Sequence, residues 1–369
     1  MSGRFESFVA IDWSGAKGLR HKGIAIAEAR GDAAPSLIRP GHVWSREEVL
    51  GWLLKLAAAE PTLFGFDFSF APPLIERGEY LPGEPGVPAT AREFWAYVDR
   101  LARDDDLGAA SFLEQAHRRH FYFGIADGVK AKFMRFRQCD QALNAQGGRK
   151  TASAFDAIGA AQVAKASFSG MRLLHRIAGQ VAIWPIDPLP DCGSAVVEIY
   201  TRIYLRRAGL SGRKLRSRAE LNHALAGIGS PPARLRFEPN DHQTDALVTA
   251  AGMRALAADP RAFAPPGLRE FVLEEPLATL TPLTPTDGEK LAAELSRIRE
   301  VGTAVSYGER QRGAGSVAAP VLGPDGHAVG SISACGPVDR FDEETVERMR
   351  PMVLGAARDI SRVMGGETA

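Results

Sequence analysis

Residues 62–66, Thr-Leu-Phe-Gly-Phe, form a fully apolar run that ends at Asp67 and directly follows Pro61. Upstream, Ser45-Arg46-Glu47-Glu48 has the form of a capping box, and it opens an amphipathic helix that continues to about Glu60. A helix that leads into a buried strand is typical of the crossover connection between parallel strands. This stretch therefore predicts an α/β fold.

Three short runs precede this helix and are predicted to be strands, at residues 7–11, 22–29 and 37–44. Turn residues separate them, which favours an antiparallel meander. The strand at 62–66 should then pair parallel to one of them. The predicted fold class is a mixed sheet with flanking helices.

The rest of the first part is predicted to be mainly helical. Residues 71–192 are a helical insertion, with helices near 90–104, 109–122 and 152–177. A buried strand over 195–204 carries Glu198, and a strong helix covers 241–258. Pro260, Pro265 and Pro266 end that helix and mark a linker.

The last hundred residues differ in charge and pattern. Residues 268–369 carry 11 Lys and Arg against 16 Asp and Glu, so the remainder is basic although the whole chain has a net charge of +1. A capping box at 286–289, a hairpin of 316–322 and 328–333 joined by Gly323-Pro324-Asp325-Gly326, and a helix over 342–364 follow in order. Two domains are predicted, at 1–263 and 264–369.

Composition excludes several classes of protein. No run of about 18 apolar residues is present, so no membrane span or membrane partner is expected. The N-terminus lacks the pattern of a secretory signal. Three widely spaced cysteines without a CxxC pair favour a reducing compartment, and a cytoplasmic location is predicted.

Acidic residues recur where strands end or helices begin. Buried carboxylates on adjacent strands repel each other unless protons or cations intervene, and Mg²⁺ or Mn²⁺ prefers carboxylate oxygens. Each residue alone has a structural explanation, as a turn residue, a helix cap or, for Glu198, a partner of an arginine such as Arg202. Together they form a candidate metal set of Asp12, Asp67, Glu198, Asp241 and Asp245.

Basic residues suggest a phosphate-binding surface. They cluster in 117–137 and again after the strand at 195–204. A solvated, arginine-rich face is the alternative interpretation. The candidate nucleic-acid contacts are Lys130, Lys132, Arg135, Arg206 and Arg207.

The motifs VAIDWSGAKG (9–18), FGFDFSFAPP (64–73), AIGAAQVAKASFSGMRLL (157–174), VVEIYTRIYLR (196–206) and DHQTDALVTAAGMRAL (241–256) resemble domain-of-unknown-function family 429. That resemblance implies an RNase H-like fold and a nuclease. It also implies a two-metal mechanism with Asp12, Asp67 and Asp245 as catalytic residues, in which Asp12 bridges the Mg²⁺ or Mn²⁺ ions and water is the nucleophile.

The stretches ELSRIREVGTAVSYGE, SVAAPVLGPDGHAVGSISACGP and the last helix are similar to the C-terminal part of an IclR-type effector-binding domain, a GAF-like sensor. The resemblance implies effector-binding groups on the hairpin, at Ser316, Ser331 and Ser333. It covers only part of that domain, so an incomplete GAF-like α/β module is predicted. An incomplete sheet leaves unpaired edges, so the module is expected to dock on the first domain, to pair with a second copy of the chain or to remain poorly formed.

Three functions are compatible with these patterns. The leading hypothesis is a metal-dependent RNase H-like nuclease or phosphodiesterase, a hydrolase acting on nucleic acid, with an appended effector-binding module. The alternative is a non-catalytic ligand-sensing or oligomerising protein related to IclR-type transcription regulators. A phosphotransferase of the sugar-kinase-like fold is weaker, because that class needs a second half with its own phosphate loop, and none is recognisable.

Overall fold

The computed structural model describes residues 4–74, 78–145, 151–159, 163–190, 192–210, 214–258, 263, 279–323 and 328–363. The chain divides into two compact units, one within residues 1–263 and one within residues 264–369. The prolines of the predicted linker and the hairpin turn at 324–326 lie outside the described residues.

A six-stranded mixed sheet forms the centre of the first unit. Its strands are β1 (Ser7–Asp12), β2 (Ala25–Arg30), β3 (Ser36–Leu37), β4 (Thr62–Phe66), β5 (Ala182–Ile183) and β6 (Ala195–Glu198), in the order β3-β2-β1-β4-β6-β5. The pairs β1–β2 and β2–β3 are antiparallel, whereas β1–β4, β4–β6 and β5–β6 are parallel. The predicted mixed α/β class is confirmed, and the RNase H-like assignment stays a prediction.

The crossover helix α1 (Arg46–Ala59) starts at the predicted capping residue. The Ser45 hydroxyl accepts a hydrogen bond from the Glu48 N–H at 3.0 Å. The carboxylate of Asp106 also accepts hydrogen bonds from the N–H groups of Arg46 and Glu47, where an anion interacts favourably with the helix dipole. These contacts fix the start of the helix that leads into β4.

Helices cover both faces of this sheet. They are α2 (Ala91–Leu101), α3 (Gln138–Ala145), α4 (Val163–Ile177), α5 (Thr201–Arg207), α6 (Arg218–Gly227) and α7 (Asp241–Ala257). Val9 and Ile11 of β1 point into a core shared with α1, α2 and α4, while Phe8 and Ala10 point into a core shared with α5, α6 and α7. This alternation follows from the two-residue period of a strand that is buried on both sides.

Some predicted elements are shorter than the pattern suggests. The strand expected over 195–204 ends at Glu198 and is followed by α5. Its partner β4 ends at Phe66, and the Phe66 carbonyl accepts a hydrogen bond from the Ile199 N–H, so β4 offers no further backbone partners beyond this point. In place of the helix expected over 152–177, the described structure has the shorter α4, Val163–Ile177. In place of the helix expected over 109–122, it has a short π-type turn at 112–116 and a 3₁₀ turn at 118–120.

The described residues of the second unit form a three-stranded antiparallel sheet and two α-helices. Its elements are β7 (Ala304–Tyr307), β8 (Ala314–Leu322), β9 (Ala328–Pro337), α8 (Gly288–Val301) and α9 (Glu343–Val363), and the sheet order is β7-β8-β9. The capping residue of α8 is Asp287 rather than Thr286, because the Asp287 carboxylate accepts the Lys290 N–H. Helix α9 packs on one face of the sheet, where Val317, Ala319 and Val353 are buried.

Across the described ranges, no helix combines the length and apolar character that crossing a lipid bilayer requires.

Candidate functional site

Two of the predicted acidic residues lie at the carboxyl ends of neighbouring parallel strands. Asp12 ends β1, and Asp67 directly follows β4. The Trp13 N–H donates a hydrogen bond to Asp67 Oδ1 at 2.7 Å, which ties the two strand ends together. The first turn of α7 reaches the same place, because His242 Nδ1 lies 2.9 Å from Asp12 Oδ1.

The carboxylates in this cluster influence one another. Burial, followed by the negative charges of Asp245 and Asp241, raises the pKa of Asp12 well above its ordinary value. Burial raises the pKa of Asp67 as well, with a further contribution from Asp12, while the hydrogen bond from Trp13 acts in the opposite direction. Burial also raises the pKa of Asp245 to about 6. Such interacting groups titrate as a set.

Asp67 lies at the solvent-exposed side of this cluster. The residue is exposed to solvent, yet enough protein atoms surround its carboxyl group to raise its pKa. Asp241 is different, since it is exposed and paired with the Lys214 ammonium at 2.5 Å, and this hydrogen bond lowers the pKa of Asp241. The structure therefore groups Asp12, Asp67 and Asp245 and leaves Asp241 at the solvated side.

Glu198 is held in an ion pair. Its two carboxylate oxygens accept hydrogen bonds from the Arg137 guanidinium at 2.6 and 2.7 Å, and one of them also accepts the Phe70 N–H at 2.9 Å. Arg137 also contacts Asp140. Glu198 is thus satisfied by protein groups and its predicted role as a metal ligand is not supported by its geometry.

The predicted metal ligands fall into separate groups. In the described ranges, no group of three or more His, Cys, Asp or Glu side chains is arranged to hold a metal ion. Of the predicted set, Asp12, Asp67 and Asp245 form a carboxylate cluster. Asp241 belongs to the solvated ion pair with Lys214, and Glu198 belongs to the half-buried ion pair with Arg137. Their functional roles stay a prediction.

The predicted nucleic-acid contacts lie in two places of the first unit. Lys130 and Lys132 belong to a short helical turn, and Lys130 pairs with Asp156 at 2.6 Å. Arg206 and Arg207 are in the last turn of α5, where Arg206 donates to the Leu143 carbonyl. The remaining residue, Arg135, is exposed. Acidic partners offset part of this charge, and nucleic-acid binding by these side chains stays a prediction.

The three predicted effector-binding serines share one face of the sheet in the second unit. In the β8–β9 register, Ser316 is opposite Cys335, Ser331 is opposite Pro320 and Ser333 is opposite Ala318. Directly opposed residues of antiparallel strands project from the same face. The alternate residues Val317 and Ala319 are buried on the α9 side, so the serines lie on the other, more open face.

Two groups that complete these clusters were not singled out from the sequence. His242 follows Asp241 directly, but its contact with Asp12 spans 230 positions and carries no local signal. On the open sheet face, Ser306 of β7 is opposite Ser316, so a row of Ser306, Ser316 and Cys335 crosses all three strands. The hairpin register of β8 and β9 places Ser316 beside Cys335. The pairing of β7 with β8, which adds Ser306, becomes visible only in the folded structure.

Residues 242–362 match the family model described as the C-terminal domain of the bacterial transcriptional regulator IclR. The match begins in α7, which packs on β1 and β2 of the first unit. It therefore spans parts of both compact units.

Curated relatives are transcriptional regulators. The HTH-type transcriptional regulator BhcR of Paracoccus denitrificans is 34% identical over 177 residues, which cover 43% of this chain and 61% of that protein. The HTH-type regulator RhmR of Escherichia coli is 35% identical over 85 residues, covering 23% and 33%. KipR of Bacillus subtilis is 30% identical over 130 residues, covering 33% and 52%. The chain thus spans about one to two thirds of the length of these relatives.

The solved structures that match include an IclR and another transcriptional regulator. The Thermotoga maritima IclR is 33% identical, with a TM-score of 0.26, and the match covers 27% of this chain and 40% of that one. The C-terminal domain of Escherichia coli KdgR is 30% identical, with a TM-score of 0.25, and covers 27% and 60%.

These findings correct the leading functional hypothesis. The prediction of a metal-dependent nuclease, phosphodiesterase or other magnesium-dependent hydrolase is wrong, because the relatives found are transcriptional regulators. Within the predicted metal set, Glu198 is paired with Arg137 and Asp241 with Lys214. The findings agree better with the non-catalytic alternative: residues 242–362 are similar to the C-terminal domain of bacterial IclR-type transcriptional regulators.

Proposed function

We propose that this chain is a non-catalytic, ligand-sensing protein related to IclR-type regulators, and that its second unit binds a small organic acid on the open face of the sheet. The observation that carries the proposal is that Ser316, Ser331 and Ser333 all project from this face within a region that matches the family model. Each hydroxyl can donate one hydrogen bond and accept others, which suits a carboxylate or hydroxy acid.

The two faces of this sheet divide the tasks of folding and binding. The α9 side carries the apolar side chains Val317, Ala319 and Val321, which form the core of the unit. The opposite side carries small residues, so hydroxyl groups and backbone are accessible between them. A ligand on this side would not have to displace the core.

The partners in this proposal are a second copy of the chain and a nucleic acid, and the place of action is the cytoplasm. The curated relatives are named as HTH-type transcriptional regulators, which supports a nucleic-acid partner for those proteins. In this chain the exposed Lys132, Arg135 and Arg207 are the residues available for phosphate contacts.

Ligand binding is tested by thermal unfolding of the full chain with acetate, succinate and benzoate as probes. A ligand that binds the folded state at about 100 times its Kd adds about 2.7 kcal/mol of stability, which raises the Tm by several degrees. We expect one of the acids to raise the Tm of the wild type and Ser316→Ala or Ser333→Ala to reduce the shift.

A matched control is Ser36→Ala, which removes an exposed hydroxyl from β3 of the first unit. It should leave the ligand-induced shift unchanged. No shift with any of the acids, or equal shifts in the Ser316, Ser333 and Ser36 variants, would contradict the proposed site.

A further inference from the structure

We propose that the outer edge of β9 pairs with the same strand of a second copy of this chain. A twofold axis perpendicular to the sheet relates the two copies of β9, and such an axis makes the two strands antiparallel. The pairing joins two three-stranded sheets into one of six strands. This inference deepens the proposed function and rests on it, because it names the partner of the sensing unit.

The edge of β9 is unusually long for this molecule. Among the strands that the structure describes, the other sheet edges are β3 and β5 with two residues each and β7 with four, whereas β9 has ten. Within the described ranges, β9 is paired along one side, with β8. About half of its N–H and C=O groups point to the other side, and such groups need partners. Monomeric proteins keep exposed edges short for this reason.

The edge also lacks the charges that normally prevent self-association. Residues 328–337 contain no Asp, Glu, Lys or Arg. In contrast, β2, beside the two-residue edge strand of the first unit, carries Glu28 and Arg30. Antiparallel self-pairing places equivalent residues close together near the axis, where like charges would repel. An uncharged strand avoids this penalty.

Small side chains make close approach feasible. Ser331, Ser333 and Cys335 are exposed on the open face of β9. Their size permits a second strand at the ordinary spacing of about 4.8 Å without displacing bulky groups. The joined sheet would place the serine-lined faces of the two copies side by side.

The helix on the other face supplies a second, independent observation. Met352, Ile360 and Val363 of α9 are 70%, 40% and 87% exposed. Their spacing places them on one side of the helix. The twofold axis puts both copies of α9 on the same face of the joined sheet, so each copy offers apolar cover for these side chains of the other.

The mass of the full chain in solution tests this inference, measured by size-exclusion chromatography with light scattering. We expect twice the 39.7 kDa of one chain. Ser333→Lys places an ammonium group at an exposed edge position, and two of them approach across the axis. It should weaken the dimer by at least about tenfold. A circular dichroism melt checks that the variant remains folded.

The control is Tyr307→Lys, which places the same charge on β7 at the opposite edge of the sheet, where Tyr307 is exposed. It should leave the dimer intact. A monomeric wild type overturns the inference. The same holds if residues 264–278 of the same chain are what occupies the edge of β9. A dimer that Ser333→Lys leaves unchanged or that Tyr307→Lys dissociates also overturns the inference.

The two proposals can fail separately. A monomer that still shows a serine-dependent Tm shift with an organic acid contradicts strand pairing and leaves ligand sensing intact. A dimer that Ser333→Lys dissociates, but that responds to none of the acids, supports strand pairing and contradicts the proposed ligand.

Discussion

His242 Nδ1 lies 2.9 Å from Asp12 Oδ1, and this contact joins the first turn of α7 to the end of β1 across 230 residues of sequence. Around it, the pKa values of Asp12, Asp67 and Asp245 all lie above their ordinary range, because surrounding protein atoms desolvate each carboxyl group and neighbouring carboxylates add negative charge. A protein that holds three carboxylates in this way loses stability when they ionise.

Replacement of Asp245 by asparagine should stabilise the protein at neutral pH. The folded-state pKa of Asp245 is about 6, against an ordinary value of 3.8, so the folded state binds more protons than the unfolded state between these values. Stability therefore falls as pH rises from about 4 through about 6, and the ionised group costs roughly 1–3 kcal/mol above that range. Asp245→Asn should raise the Tm by several degrees at pH 7.5 and have little effect at pH 4.

Asp241→Asn is the matched control for this prediction, one helical turn away. The Lys214 ammonium lowers the pKa of Asp241, so its ionised form favours the folded state and the substitution should not raise the Tm. Equal Tm values for Asp245→Asn and the wild type at pH 7.5 would show that the Asp245 carboxylate is not destabilising.

The Arg137–Glu198 pair should be strongly coupled. Glu198→Ala leaves the half-buried Arg137 with Asp140 alone and removes the acceptor of the Phe70 N–H, so we expect a loss of about 1–3 kcal/mol in chemical unfolding. Arg137→Leu should cost a similar amount, and the double variant less than the sum.

The exposed pair Lys17–Glu114 provides the comparison. Alanine at either position should change stability by no more than about 0.5 kcal/mol. Additive losses at Arg137 and Glu198 would contradict the coupling that their two hydrogen bonds imply.

Two helical glycines should respond to alanine in opposite directions. A Cβ atom on Gly170 of α4 would overlap the Phe68 ring, whereas one on Gly51 of α1 would meet no atom within 4 Å. Gly170→Ala should therefore cost about 1–3 kcal/mol through overpacking, and Gly51→Ala should gain about 0.5–1 kcal/mol through the smaller backbone entropy of alanine. Thermal unfolding of both variants measures the two signs, and stabilisation by Gly170→Ala would disprove the close contact.

Local patterns predict the elements of this fold better than its tertiary contacts. The Ser45 cap, the strand at 62–66 and the β8–β9 hairpin depend on neighbouring residues, and the sequence patterns indicate all three. The end of β6 at Glu198 depends on where β4 ends, which the pattern VVEIYTRIY does not contain. A strand is thus limited by its partner as much as by its own side chains.

The candidate sites show the same limit. Acidic residues at strand ends are visible in the sequence, and Asp12 and Asp67 do lie together. Whether such a residue is free or neutralised depends on a distant partner, as Arg137 is for Glu198 across 61 positions. The carboxylates alone suggest a metal centre, whereas the folded protein pairs two of the five, Glu198 and Asp241, with basic side chains.

Phe341→Ala should unfold the second unit selectively. Phe341 is buried among Val317, Val346 and Val353, and its ring lies so close to Gly315 that a Cβ there would come within 2.6 Å of Cδ2. Loss of a buried phenylalanine costs about 3–5 kcal/mol, which is comparable to the whole stability of a small core. Hydrogen exchange should then become fast in β8, while β1 and β4 keep their protection.

Tyr307→Ala removes an exposed ring from the same sheet and should leave both units protected. Protection of β8 in Phe341→Ala would show that the unit is held together by more than this core.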